Sequence, residues 1–258
     1  MRPVPGSWPR VQIERRVPSD DSPRRPQESP DATEIEYPNG WGLRVERNPR
    51  RIVFFVPSAV ADDDLVHPIL APAAVRLAGW LGRPALHGGA FVSNGGAWGI
   101  LSPRTGGKST TLAQLAESGV PVLTDDILVI EEALAYAGPR LIDLRPDDWV
   151  DPHGRTVAAR GGDRRRLALP AIEATAPLRG FFFLEWGHTL SLEALAPSQR
   201  LALLNDYCRP EATSPIGLLE LARLPAWLLR RPQDRAALDD VCLCLLEATL
   251  KRVEPGPL

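Results

Sequence analysis

Ser102-Pro103-Arg104-Thr105-Gly106-Gly107-Lys108-Ser109-Thr110 separates the apolar stretch Trp98-Gly99-Ile100-Leu101 from a segment with leucines at 112 and 115. The first stretch reads as a short strand. The second, residues 109–118, reads as a helix stopped by Gly119. A glycine-rich loop that runs from a strand into a helix N-terminus is a cradle for phosphate. Its N–H groups converge on one spot, where the helix dipole also favours negative charge. Gly106 and Gly107 let the backbone wrap closely, and Lys108 brings a flexible point charge that planar Arg would replace poorly. The Ser109 hydroxyl is placed to bind Mg²⁺. Thr105 and Thr110 complete the candidate loop. The plainer reading is a Gly-rich turn capping a helix; it leaves the order strand, loop, Gly-Lys-Ser-Thr, helix and strand unexplained. The pattern departs at Ser102, where glycine is usual, and Pro103 stiffens the entry.

Lys108 also stands out against its own chain. Among 30 basic residues only Lys108 and Lys251 are lysines. A lysine kept in an arginine-using background points to a place that Arg would not serve. The remaining composition excludes several classes. Of the 258 residues 44% are hydrophobic and 24% charged, which argues against wholesale disorder, a fibrous repeat or a disulfide scaffold. The net charge of −2 gives no basic excess for nucleic acid or an anionic membrane. Three cysteines, Cys208, Cys242 and Cys244, are few and odd in number and fit a reducing compartment. No apolar run approaches the roughly 20 residues that cross a bilayer, and no apolar signal core follows Met1. The expectation is a cytoplasmic protein.

Downstream of the loop, residues 120–123 read as a strand ending in Asp125-Asp126, 17 residues after Lys108. Two adjacent carboxylates at a strand end allow one to serve Mg²⁺ while its neighbour accepts the proton of an acceptor hydroxyl. A solvated turn between two strands is the alternative. Upstream, His87 precedes Gly88-Gly89 at the start of a strand, 21 residues before Lys108. Alone it would more often be a structural histidine. His67, His153 and His188 have no comparable setting and read as structural.

Residues 1–40 carry eight prolines and mixed charge and read as a mostly disordered tail. From Trp41 the pattern changes. Residues 43–47 and 52–56 read as strands, and Asp62-Asp63-Asp64 opens a helical spacing through Val66, Ile69, Ala73, Leu77 and Trp80. Pro72 kinks that helix or starts it. Two strands, 85–92 and 98–101, flank the turn Ser93-Asn94-Gly95-Gly96. Residues 127–130 are a further strand, 133–170 mostly short elements and turns, and Phe181-Phe182-Phe183-Leu184 a buried strand. The last sixty residues read as helices, most clearly 234–250. Arg164-Arg165-Arg166 either docks an acidic peptide or is a solvated loop.

His87-Gly88, the Gly-Gly-Lys-Ser-Thr loop and Leu123-Thr124-Asp125-Asp126 together resemble the HPr kinase/phosphorylase family, part of the phosphoenolpyruvate-carboxykinase-like group of phosphate-loop folds. The resemblance covers residues 84–131 well. Arg164 to Pro170 and Phe181 to Trp186 look like the later part of its short, divergent members. It implies an α/β fold with a mixed sheet and flanking helices, arranged as a small β/α part (41–83), a catalytic core (84–190) and a helical C-terminal part (191–252). It further implies ATP and Mg²⁺ as cofactors and transfer of the γ-phosphoryl group to a serine of a protein or precursor peptide. By resemblance Gly106, Gly107, Lys108 and Ser109 bind phosphates, and Ser109 and Asp126 hold Mg²⁺. Asp125 is the base, and His87 lies near the transferring phosphate. The family often oligomerises, so a homo-oligomer is compatible. Thr110 stands where the full family carries an acidic residue. A small-molecule kinase and a nucleotide-binding switch without efficient transfer stay open beside the serine-kinase reading.

Overall fold

The structure, a computed structural model, describes residues 11–19, 27–149 and 151–250. β1 (Gln12–Arg16), β2 (Gln27–Glu28), β3 (Ala32–Glu36), β4 (Gly42–Glu46) and β5 (Arg51–Phe55) form a sheet in the order β1-β5-β4-β3-β2. Only β1 and β5 are parallel. Leu43, Val45, Ile52 and Phe54 alternate onto one face. Leu65, Ile69 and Ala73 cover them from the helical segment that follows. That segment comprises α1 (Asp62–Asp64), a π turn (Leu65–Ile69) and α2 (Leu70–Trp80). It breaks at His67, whose φ of −142° and ψ of 125° are extended. A residue before proline is driven to extended backbone, and His67 precedes Pro68. Pro72 falls in the first turn of α2, where a proline is tolerated.

The expected disordered tail is corrected over 11–19 and 27–40, where β1, β2 and β3 are strands. Charge pairing offsets their thin apolar content. Glu34 accepts from Arg44 at 2.6 Å, Glu14 pairs with Arg51 at 3.3 Å, and Arg15 reaches Asp62 at 3.1 Å. Residues 1–10 and 20–26, and Lys251 with the expected domain end at 252, lie outside the described residues.

The second sheet has nine strands. β6 (Ala85–His87), β7 (Gly89–Ser93) and β8 (Gly96–Leu101) precede the glycine loop and α3 (Lys108–Glu117). β9 (Val122–Thr124), β10 (Ile127–Glu131) and β11 (Leu134–Tyr136) follow. β12 (Leu141–Leu144), β13 (Thr156–Ala159) and β14 (Arg164–Ala168) make a separate small sheet in the order β12-β14-β13. The chain returns through β15 (Thr175–Trp186), β16 (Ser191–Ala194), α4 (Pro197–Tyr207), α5 (Pro215–Ala222), β17 (Ala226–Arg231) and α6 (Leu238–Leu250). The fold is α/β with mixed sheets and helices.

β15 is buried on both faces, so its residues alternate between two cores. Phe182 and Leu184 face α3 and α6, meeting Leu112, Leu115, Val241 and Leu245. Phe181 and Phe183 face the opposite way, toward Leu204 and Leu221. Phe182 stacks on Phe91 and on Trp227, with ring centroids 6.2 and 5.2 Å apart. Each such aromatic pair adds about 0.5–1.5 kcal/mol beyond its area burial.

The expectation of a purely helical C-terminal part is corrected by β16 and β17. Trp227-Leu228-Leu229 lies beside β15 and is buried on both faces. A strand of that kind has no alternation to distinguish it from helix.

Strand direction positions the site. β8, β15 and β17 are mutually parallel, and β9 runs the same way because both it and β8 are antiparallel to β7. Their carboxyl ends therefore share one sheet edge with the start of β7 and with His87-Gly88. Ligands of open α/β sheets gather at that kind of edge.

Candidate active site

The glycine loop leaves β8 at Ser102, which is buried. The amide of Gly106 donates to the Pro103 carbonyl at 2.9 Å, turning the chain back toward α3. Gly107 precedes the helix at φ +79°, in the left-handed region. A Cβ there would run into the Arg231 guanidinium, so glycine is required for both conformation and space. The first-turn amides of α3 have no acceptor within their own helix and point out at its N-terminus. The loop, His87, Asp126, Trp186, Arg231 and the small sheet enclose a cleft of about 670 Å³.

Three side chains converge at the helix start. Nζ of Lys108 donates to Oδ1 of Asp125 at 2.6 Å, and the Ser109 hydroxyl donates to Oδ2 at 2.8 Å. The Asp125 side chain is 2% exposed and that of Lys108 9%. The two oxygens of one carboxylate thus join the lysine and the hydroxyl of the phosphate loop.

Asp126 turns the other way. Its φ of +79° places it in the left-handed region, where a single Asp is tolerated at modest cost. Its carbonyl accepts from the Gly88 amide at 3.1 Å, which ties the β9 end to the β6–β7 junction. Its carboxylate lies 3.4 Å from Nδ1 of His87, a close approach without hydrogen-bond geometry. Burial pushes the Asp126 carboxyl up, but the imidazole of His87 and the charges of Lys108 and His67 outweigh it and hold the group below its ordinary value. Unlike Asp125, it borders the open cleft.

Behind the loop sits Arg231, at the end of β17. Nη2 donates to the Gly106 carbonyl at 3.2 Å, and the guanidinium stacks 4.2 Å above the Trp186 ring. Burial lowers it to about 10, with Cys242 opposing weakly, so it is cationic at neutral pH. Its Nε has no hydrogen-bond partner.

The structure thus brings together Thr105, Gly106, Gly107, Lys108, Ser109, Thr110, Asp125, Asp126 and His87. The sequence reading paired Ser109 with Asp126 for the metal; the geometry pairs it with Asp125. Sequence reasoning also missed Arg231, Trp186 and His67. His67 lines the cleft because the break before Pro68 carries it there. Arg231 was missed with its strand. Of the arginine cluster, Arg166 is structural. It donates to both oxygens of Asp143 at 2.7 and 2.8 Å and reaches Asp64 at 3.2 Å. Arg165 is exposed, and only Arg164 borders the cleft.

No protein-family model and no curated protein matches the chain. Among solved structures it is similar to the Hpr(Ser) kinase/phosphatase from Coxiella burnetii, at 11% identity and a TM-score of 0.35, over 64% of this chain and 96% of that one. A likeness of that size fixes neither fold type nor activity. Among the described residues no helix is long and apolar enough to cross a membrane.

Proposed function

We propose that the cleft is the active site of an ATP-dependent phosphotransferase that moves the γ-phosphoryl group to a serine hydroxyl of a protein or peptide. One observation carries the reading. Lys108 and Ser109, at the mouth of a phosphate-binding helix, share the buried carboxylate Asp125, while a second carboxylate, Asp126, faces the same cleft.

The donor set fits Mg²⁺. Ser109 and Asp125 offer hard oxygens, and among the described residues no group of three or more His, Cys, Asp or Glu is placed to hold a metal. Mg²⁺ is commonly held by one or two protein oxygens together with phosphate oxygens and water. When bound, it neutralises phosphate charge as the bridging bond breaks.

The roles follow from contact and exposure, and they reverse the order inferred from sequence. Asp125, locked between Lys108 and Ser109, is the carboxylate beside the metal-binding hydroxyl. Lys108 exchanges its contact with Asp125 for a phosphate oxygen. Asp126 is held ionised by its neighbours and accepts the proton of the acceptor serine. A weakly basic carboxylate suffices, because a loose transition state asks for little proton removal before the phosphoryl group has transferred. His87 orients Asp126. Arg231 fixes the loop and adds positive charge beneath the phosphates.

The test is incubation with Mg²⁺ and ATP labelled at the γ-phosphorus, with a serine peptide as acceptor. Phosphoserine that requires Lys108 supports the proposal. Nucleotide binding without transfer to any hydroxyl would make the protein a switch. Transfer only to small alcohols would make it a small-molecule kinase.

A further inference from the structure

The cleft carries an excess of uncommitted arginine in a chain of net charge −2. Elsewhere several arginines sit beside carboxylates, Arg44 beside Glu34, Arg83 beside Glu131, Arg166 beside Asp143 and Arg230 beside Glu193, while Arg47, Arg179 and Arg223 are scattered single side chains without an ion pair among the described residues. Around the cleft, the side chains of Arg104, Arg145, Arg160 and Arg235 have no hydrogen bond or ion pair among the described residues. Arg164 donates only to the neighbouring Asp163 carbonyl. Four carboxylates line the same cleft, but Asp126 faces His87, Asp143 is bound by Arg166, and Asp234 caps the Ala236 amide at 2.9 Å. That leaves Asp148 facing a cationic rim.

The small sheet builds most of that rim. Arg145 directly follows β12, Arg160 directly follows β13, and Arg164 opens β14. Leu144 pairs with Arg165 and Ala159 with Arg164, so all three arginines emerge at one end of the sheet. Arg160 has φ +53°, a left-handed conformation unfavourable for a residue with a Cβ. Arg164 and Arg166 share one face of β14 by the two-residue period. Arg166 anchors that face to Asp143 and Asp64, so Arg164 stands on a fixed support.

We propose that Arg145, Arg160 and Arg164 bind acidic side chains of the acceptor peptide. The acceptor would carry Asp or Glu near the serine that receives the phosphoryl group. Guanidinium groups recognise carboxylates by forked hydrogen bonds, and a one-signed cleft raises the local concentration of an opposite-signed partner. The proposal rests on the phosphoryl-transfer reading only for the position of the acceptor serine; the arginine site itself stands on the geometry.

The test measures binding and transfer separately. Two fluorescent peptides of equal length share one serine; one is flanked by Glu and Asp, the other by Gln and Asn. Anisotropy with the full chain and ADP·Mg²⁺ should show at least tenfold tighter binding of the acidic peptide, weakening as salt rises. The triple variant Arg145→Gln, Arg160→Gln, Arg164→Gln should lose that preference yet bind ADP·Mg²⁺ within about twofold of wild type. The Arg→Lys triple variant should restore part of it. If the Gln variant melts early, single Arg145→Glu and Arg164→Glu variants are read instead, each expected to weaken the acidic peptide alone. Equal binding of both peptides by wild type overturns the proposal. So does a preference the variants leave intact, or a loss of ADP affinity that shows the rim serves the nucleotide. Acidic-peptide binding without transfer would sink the kinase reading and leave the arginine site standing. Efficient transfer to the neutral peptide would do the reverse.

Discussion

Nζ of Lys108 lies 2.6 Å from Oδ1 of Asp125, in a pair whose side chains are 9% and 2% exposed. The residue that gives the phosphate loop its charge is therefore also part of a buried ion pair. Breaking such a pair strands a charge, at a cost of about 3–5 kcal/mol. Lys108→Met should abolish nucleotide binding and also lower the melting temperature. The double variant Lys108→Met, Asp125→Leu should recover most of the stability and none of the binding. Calorimetry of both variants with and without nucleotide checks this. A single variant as stable as wild type would mean that the pair contributes nothing to the fold.

Asp126 gives a pH dependence of defined sign. Its folded-state value is depressed, by His87 and by the charges of Lys108 and His67 against the opposing effect of burial. The stabilisation it contributes is complete above the ordinary value of 3.8 and is lost as pH falls through the lower folded value. Asp126→Asn should be less stable than wild type above roughly pH 5 and converge on it as pH falls, since the stabilisation it removes is already lost in acid. Denaturant midpoints from acid to neutral pH measure this. A variant more stable than wild type near neutrality would show the carboxyl to be raised instead.

Arg231 is buried, carries a charge at neutral pH and has one unpartnered nitrogen. Replacing a buried charged group with an apolar side chain of similar volume is often neutral for stability. Arg231→Met should melt within a few degrees of wild type while binding ATP·Mg²⁺ about tenfold more weakly. Unchanged affinity would remove Arg231 from the phosphate site.

Removing residues 1–36 should destabilise the protein. The truncation strips β1 from β5 and β3 from β4, exposing edges that lead to Val53 and Phe54. A fall of roughly 5–10 °C in melting temperature corresponds to a loss of a few kcal/mol for a chain of this size. A truncated chain that melts with wild type would show that these strands add nothing to stability.

The site was legible where chemistry depends on short-range order. Strand, glycine loop, Lys108, helix and the aspartate pair are near neighbours in sequence, and each residue type has a distinct physical use. What was missed depends on distant pairing. Arg231 reaches Gly106 across 125 positions, at the end of a strand whose Trp-Leu-Leu core carries no period. Arg145, Arg160 and Arg164 meet only because β12, β13 and β14 pair at one end. The tail was misjudged because Glu14 and Glu34 are polar in sequence and half-buried against Arg51 and Arg44 in the sheet. The two aspartates looked interchangeable, being adjacent in sequence. A left-handed turn at Asp126 sends one toward Lys108 and the other toward His87.

That divergence allows the central claim to be tested directly, by single-turnover transfer from ATP to a serine peptide in Asp125→Asn and Asp126→Asn across a Mg²⁺ series. Asp126→Asn should bind ATP·Mg²⁺ within about twofold of wild type and transfer about 10²–10⁴-fold more slowly at every Mg²⁺ concentration. Asp125→Asn should bind ATP weakly and regain part of its rate as Mg²⁺ rises. Exchanged behaviour would contradict the role assignment, and full activity of both variants would contradict phosphoryl transfer at this cleft.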